Sequence, residues 1–338
     1  MRLEQALSDP ILCLGIESTA HTFGASIVTS EGEILSDVKD TYVPAVGKGI
    51  HPREAAQHHS QVCADVVQKA FRAAKRRPHE IDAVAVSLGP GLGPALRTGA
   101  TVARGIAAFL DKPLIPIHHA IGHIEIAALT TRMEDPLVLL VSGGHTAIAA
   151  CAKGKWRIFG ETEDITIGNL FDMFSRAAKL PSPGGVSVER LAQKSSNYID
   201  LPYTVKGNDV SYSGLLTASR KKLDDGVPVE DICFSLQEVS FSMLTEATER
   251  SLAHTEKKEL LLTGGVAANM RLQNMMKIIA EEHNARFSVV DSKYSGDCGA
   301  QIAWTGILAY KSGVQVEVET SFVKPRWRLD TVSVPWRP

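Results

Sequence analysis

The chain has 338 residues, which at roughly 150 residues per domain points to two domains. Hydrophobic residues make up 44% and charged residues 22%, an ordinary globular balance that excludes a disordered chain, a collagen-like chain and a disulfide mini-protein. Lys and Arg number 36 against 38 Asp and Glu, so nucleic acid would have to be met through a local basic patch or with a partner's help.

The predicted elements begin with a short apolar strand, Ile11 to Glu17, ending on an acidic residue and followed by small residues. Strands over Phe23 to Thr29 and Glu33 to Lys39 follow, then a helix from Arg53 to Arg77 with Ala56, Val62, Val66, Ala70 and Ala73 near one face. A buried strand, Ile81 to Ser87, leads into glycine-rich Gly89 to Pro94, a helix from Ala95 to Leu110 and a strand from Pro113 to Ile117. The pattern then restarts. Strands Leu137 to Val141, Thr146 to Ala152 and Trp156 to Gly160 precede helical segments at Ile167 to Lys179, Val188 to Lys194, Gly214 to Leu223 and Val229 to Ala253. A strand from Glu259 to Thr263, a helix from Ala268 to Glu282, a strand from Arg286 to Val290 and a helix from Gly299 to Ser312 complete the second half. The expected bounds are 11–134, 135–312 and an irregular tail over 313–338. Two copies of one strand–helix order imply a duplicated α/β fold of the actin, heat-shock-ATPase and sugar-kinase type, with two halves around a nucleotide-binding cleft.

Five scattered cysteines without a CxxC pair read as reduced thiols. The longest large-aliphatic run, Leu137 to Val141, is too short to span a bilayer, and Glu4, Asp9 and Pro10 break any signal-peptide core after Arg2. These features give the expectation of a cytoplasmic protein with no membrane association.

Four segments carry chemistry. His119 and His123 stand four apart, on one face if helical, and two neutral imidazoles suit zinc or ferrous iron. The plain alternative is two satisfied histidines at a helix start. Ala120 takes the place of the glutamate of HExxH, so a protease of that type would lack its general base. Asp297, before the last helix, reads first as an N-cap and second as the carboxylate of a His-His-Asp site with an open position. Glu161, Glu163 and Asp164 read as a solvated loop, whereas Asp172 and Glu189 flank a Pro-Gly-Gly turn where backbone can approach a ligand. Leu260 to Asn269 is a strand, a Gly-Gly turn and a helix start, suited to an adenine or phosphate or simply to tight packing. Gly89 to Pro94 is neither a Walker A loop nor a complete Rossmann fingerprint.

Taken in order, GIESTAHTFGASIV (15–28), SLGPGLGPALRTG (87–99), HAIGH (119–123), LLVSGGHT (139–146), IGNLFDMF (167–174), SPGG (182–185), DVSYSGLLTA (209–218), TGGVAANMRL (263–272) and YSGDCGAQIAW (294–304) resemble one family. It is the universal tRNA threonylcarbamoyladenosine synthase (tRNA N6-adenosine threonylcarbamoyltransferase) family, in its archaeal and eukaryotic form, the catalytic subunit of the KEOPS complex. The resemblance implies His119, His123 and Asp297 as metal ligands, usually for iron, with zinc as the alternative. It implies that Val141, Ser142, Gly143, Gly144, Asp172, Gly185, Glu189 and Asn269 hold the substrate nucleotide, threonylcarbamoyl-AMP or ATP. The implied reaction carries the threonylcarbamoyl group to N6 of adenosine 37 in tRNAs reading codons that start with A. The implied partners are tRNA and separate KEOPS-type subunits, including a small protein kinase or ATPase. Leu140 stands where archaeal relatives often carry a tyrosine, so a tyrosinate contact to metal is not expected, and Ser18 and His145 also depart from common archaeal choices. No residue is assigned as general base. The rival readings are a metal-dependent protease of the HxxxH type, an ATPase or kinase of this superfold, and a non-catalytic scaffold.

Overall fold

A computed structural model describes residues 9–45 and 48–337; Arg2 and Glu4 lie outside the described residues. The chain divides into two compact units. The first holds the described residues up to Tyr42, Pro52–Gly122 and Cys298–Trp327; the second holds His123–Asp297 with the described parts of Val43–His51 and Arg328–Pro338.

The first unit runs β1 (Leu12–Glu17), β2 (Thr22–Thr29), β3 (Ile34–Thr41), α1 (Pro52–Ala74), β4 (Ala83–Gly89), α2 (Gly93–Leu110) and β5 (Leu114–His118), and includes the start of α3 (His119–Thr131). Its sheet has the order β3-β2-β1-β4-β5. β1 pairs antiparallel with β2 and parallel with β4, as expected of a hairpin followed by crossover helices. Every residue of β1, β2 and β4 is buried, so the strands read as near-continuous apolar runs.

The second unit continues α3 and adds β6 (Leu137–Val141), β7 (Thr146–Ala152), β8 (Lys155–Glu161), α4 (Ile167–Ala177) and α5 (Gly184–Ala192). A two-stranded ribbon of β9 (Val205–Lys206) and β10 (Asp209–Val210) leads to α6 (Ser213–Asp224) and α7 (Val229–Thr255). Then come β11 (Glu259–Thr263), α8 (Met270–Glu282), β12 (Arg286–Val289) and α9 (Ser292–Ser295). Its sheet, β12-β11-β6-β7-β8, repeats the first one's order and strand directions. Phe171 and Phe241 meet edge to face at 5.7 Å in its core.

The final helix, α10 (Gly299–Lys311), belongs to the first unit, although the restart in the sequence places it within 135–312. Small residues explain its seat. A Cβ on Gly15 of β1 would lie 2.2 Å from the Ala303 amide nitrogen, and one on Gly306 would lie 2.4 Å from Ala85 of β4. The Pro-Gly-Gly segment also differs from its reading as a turn: α5 starts at Gly184, after Pro183 as N-cap, four residues before the expected Val188.

Candidate functional site

α3 is apolar on all sides, with Ala120, Ile124, Ile126 and Ala127 fully buried, so its polar residues sit in protein interior. His119 and His123 are one turn apart on this helix and are 6% and 1% exposed. His123 Nε2 lies 3.2 Å from Asp297 Oδ1. The three residues offer ligand atoms within 4.8 Å of one another. Donors about 2.0–2.2 Å from a shared ion lie about 3–4.4 Å apart, so the set fits a metal with small side-chain adjustment. The N-cap of α10 is Cys298, with no side-chain cap hydrogen bond, so the capping position falls one residue after Asp297. Leu140 is buried on β6 and contributes no donor.

His119 Nδ1 is held by groups from two other elements of the first unit. Glu17 Oε2, at the end of β1, lies 3.0 Å away, Thr19 Oγ1 lies 3.3 Å away, and the Gln301 side-chain nitrogen on α10 lies 3.3 Å away. The other Glu17 oxygen accepts from the Thr19 amide at 2.6 Å and from the Thr19 hydroxyl. Ser18 donates its amide to Ser87 Oγ at 3.3 Å. The amides of the first β-turn thus hold Glu17 and the sheet. Sequence reasoning left Glu17, Thr19 and Gln301 out of the site; the available signal was a carboxylate closing an otherwise apolar strand. His118 turns away from the cluster: its Nε2 donates to the Trp327 carbonyl at 3.1 Å, and burial pushes its pKa down to about 3.

The nucleotide-binding candidates lie in the second unit, and most have structural partners as well. Ser142 Oγ accepts from the Gly144 amide at 3.1 Å and the His145 amide at 3.0 Å, and the Ser142 amide donates to the His145 carbonyl at 2.8 Å. Of the Ser142, Gly143 and Gly144 amides, that of Gly143 has no partner inside the turn. Val141 is buried at the end of β6, and Gly264 packs against it: with φ +98° a Cβ there would lie 2.3 Å from the Val141 carbonyl oxygen. Asp172 Oδ1 accepts from the Gly184 amide at 2.9 Å, beside Gly185. Glu189 Oε1 accepts from the Met270 amide at 3.0 Å. Asn269 caps α8, its oxygen accepting from Arg271 and Leu272 while its amide donates to Gln237 at 2.9 Å.

The acidic loop is not wholly solvated. Asp164 accepts from Ser211 Oγ at 2.6 Å and from the Tyr212 and Ser213 amides at 2.9 and 3.0 Å, fastening the start of α6. Burial raises its pKa, but the hydroxyls of Ser211 and Ser213 and the two amides outweigh that and hold the carboxyl far below its ordinary range.

The duplicated sheet order defines the actin, heat-shock-ATPase and sugar-kinase superfold. HypF from T. kodakarensis superposes with a TM-score of 0.62 at 15% identity, over 90% of this chain and 49% of that one. The activator of 2-hydroxyisocaproyl-CoA dehydratase from Clostridium difficile gives 0.55 at 12% identity, over 90% and 97%. These likenesses carry the fold alone. The chain belongs to the tRNA N6-adenosine threonylcarbamoyltransferase family, whose model matches residues 33–304. The tRNA N6-adenosine threonylcarbamoyltransferase of Caldivirga maquilingensis is 51% identical over 326 residues, 96% of this chain and 98% of that protein. The enzyme of the same name from Hyperthermus butylicus is 52% identical over 97% of this chain and 93% of its own length. A probable bifunctional tRNA threonylcarbamoyladenosine biosynthesis protein of Methanocaldococcus jannaschii is 50% identical over 96% of this chain and 60% of its own.

Proposed function

We propose that this chain transfers a threonylcarbamoyl group from threonylcarbamoyl-AMP to N6 of adenosine in tRNA. The observation that carries the reading is near-complete coverage by threonylcarbamoyltransferases at about half identity, with His119, His123 and Asp297 assembled as one donor set. The chemistry is consistent. An exocyclic adenine amine is a weak nucleophile because its lone pair is delocalised into the ring. A mixed anhydride with AMP presents an activated carbonyl: the N6–C bond forms, the C–O bond to phosphate breaks, AMP leaves, and N6 loses a proton.

His119, His123 and Asp297 would hold the divalent metal, with iron first and zinc second given two imidazoles and one carboxylate. Such an ion supplies Lewis-acid stabilisation of charge on the transferring group. The Gly143 amide and the Gly264-Gly265 turn offer backbone to the adenylate, while Asp172, Gly185, Glu189 and Asn269 border it. Donors already fixed in place stabilise developing charge without reorganising. Ala120 is buried where an HExxH protease carries its glutamate, which disfavours proteolysis.

We further infer a cytoplasmic protein working within a KEOPS-like assembly that includes a separate small kinase or ATPase. The Methanocaldococcus relative, named as probably bifunctional, supports a functional link to a second activity. Among the described residues, no helix is long and apolar enough to cross a membrane.

The test is mass spectrometry of tRNA nucleosides after incubation with threonylcarbamoyl-AMP, with and without candidate partner subunits, alongside metal content by plasma mass spectrometry. Threonylcarbamoyladenosine should form with wild-type protein, and His119→Ala and His123→Ala should lose most of the metal and the product while staying folded. Asp297→Asn should do so more mildly, because an amide oxygen is the weaker ligand. Full metal occupancy in all three variants would place the metal elsewhere.

A further inference from the structure

We propose that Glu17 is the positioning residue of the metal centre, setting the tautomer of His119 so that its Nε2 lone pair is the one available for ligation. The proposal rests on the metal reading above and extends it to a residue outside the ligand set. Glu17 is fully buried, and no Lys or Arg pairs with it among the described residues. Its two oxygens are divided between two tasks. One accepts from the Thr19 amide and hydroxyl; the other lies 3.0 Å from His119 Nδ1. As a carboxylate it only accepts, so the shared proton belongs on Nδ1. Thr19 Oγ1, which gives its own proton to Glu17, has a lone pair 3.3 Å from the same nitrogen and reinforces that placement. The Gln301 side-chain nitrogen, a donor also 3.3 Å away, favours the opposite one and is outweighed by the shorter, charged contact to Glu17 at 3.0 Å.

The burial of all three groups gives this arrangement its strength. Glu17, Thr19 and His119 are 0%, 2% and 6% exposed, so water does not compete for the bonds. Glu17 also ends β1, while His119 opens α3 immediately after β5. The carboxylate therefore ties the helix that carries both histidines to the centre of the first sheet. A histidine ligand oriented by a carboxylate on its other nitrogen is more basic and cannot rotate away, and loss of such a partner lowers metal affinity by about 10–100-fold.

The substitution Glu17→Gln separates this role from simple packing. Thr19 presents two donors to one end of the side chain, so the glutamine must place its oxygen there and its amino group toward His119. An amino group donates, so Nδ1 becomes the acceptor and the proton moves to Nε2, the wrong nitrogen for ligation. The variant is nearly isosteric and tests hydrogen-bond polarity rather than volume.

Two readouts decide the matter. In metal-free protein labelled with 15N histidine, long-range proton–nitrogen spectra should show His119 protonated on Nδ1 in wild type and on Nε2 in E17Q, with His119→Gln identifying the signals. Cobalt(II) titration should show E17Q binding about 10–100-fold more weakly than wild type. An unchanged tautomer, or cobalt affinity within about twofold of wild type, would overturn the proposal. If wild-type protein binds no cobalt, the metal reading fails, and the tautomer in metal-free protein still decides whether Glu17 sets His119. Should E17Q lose its circular dichroism signal, Thr19→Val supplies the second test: it removes one pinning donor and should weaken cobalt binding several-fold, and undiminished affinity would count against the proposal.

Discussion

Arg337 and Glu125 form a buried, doubly hydrogen-bonded ion pair that fastens the end of the chain to α3, the helix that carries His119 and His123. Arg337 Nε donates to Oε1 and Nη2 to Oε2, each at 2.6 Å, and the side chains are 10% and 3% exposed. Trp336 Nε1 donates to the same carboxylate at 2.9 Å, and the guanidinium lies 5.3 Å from the ring centre of buried Trp156. Glu125 is two residues beyond His123, so the clamp fixes α3 within the second unit. Paired bidentate geometry of this kind is a strong charge-assisted contact, but breaking one side leaves a buried charge without its partner.

Arg337→Met should therefore destabilise the protein by about 3–5 kcal/mol, whereas Arg337→Met with Glu125→Gln should recover much of that loss. Urea denaturation followed by circular dichroism checks both. Equal stability of Arg337→Met and wild type would show that the tail's packing, not the ion pair, holds this end of α3.

A pH prediction follows from His59 on α1, which is fully buried with Nε2 3.1 Å from the Ala20 carbonyl. Burial pushes its pKa down from 6.5 to about 4. Because the folded value is depressed, the unfolded chain binds the extra proton first as pH falls. The stability contribution is fully present above pH 6.5 and is lost progressively toward pH 4. The whole swing is of the order of 3 kcal/mol. His59→Gln, which keeps a donor for Ala20, should flatten the stability profile across that window. A profile as steep as that of wild type would assign the acid sensitivity to other groups.

A further expectation concerns tRNA. The chain has a net charge of -2, and several cations of its basic clusters are already paired. Arg76 and Arg77 pair with Glu80, Arg328 with Glu161 and Asp330, and Lys324 lies over the Trp327 ring. Phosphate contacts dominate nucleic-acid affinity, so the isolated chain should bind tRNA at only about 1–100 μM near physiological salt. Added partner subunits should tighten binding and steepen its salt dependence. Filter binding across a salt series checks this, and sub-micromolar, salt-sensitive binding by the chain alone would refute it.

The elements most legible in the sequence were short apolar runs bounded by turn residues. Leu137–Val141, Thr146–Ala152 and Glu259–Thr263 stand in the structure at the limits their sequence implies. α3 was less legible because Ile121, Ile124, Ile126 and Ala127 cover its faces and leave no amphipathic period; only the spacing of its histidines suggested a helix. Gly184 and Gly185 looked like turn residues, yet Asp172 satisfies the Gly184 amide from a neighbouring helix, a contact twelve residues away that local pattern does not encode. Residue types and spacing suggested His119, His123 and Asp297 as candidate ligands, and the family resemblance implied the same set. Neither pointed to Glu17, whose partner His119 lies 102 positions further on and becomes visible only when β1 and β5 share a sheet.

The start of α8 yields the most discriminating prediction for the nucleotide candidates. Its first amides are already satisfied by the two side chains assigned to substrate: Glu189 accepts from Met270, and Asn269 accepts from Arg271 and Leu272. Loss of an N-cap costs about 1 kcal/mol, so Asn269→Ala should lower stability by that amount whether or not nucleotide binds there. Asn269→Asp retains the capping oxygen but replaces the donor to Gln237, whose side-chain oxygen lies 2.9 Å away, with an acceptor. If Asn269 also donates to the adenylate, Asn269→Ala and Asn269→Asp should both weaken nucleotide binding about tenfold or more, while Asn269→Asp spares the cap. Glu189→Gln tests the neighbouring site in the same way, because it keeps an oxygen for the Met270 amide while removing the charge. Calorimetric titration of a non-hydrolysable adenylate, paired with thermal unfolding of each variant, separates the two effects. Lost stability with unchanged nucleotide affinity in Asn269→Ala would assign Asn269 to helix capping alone.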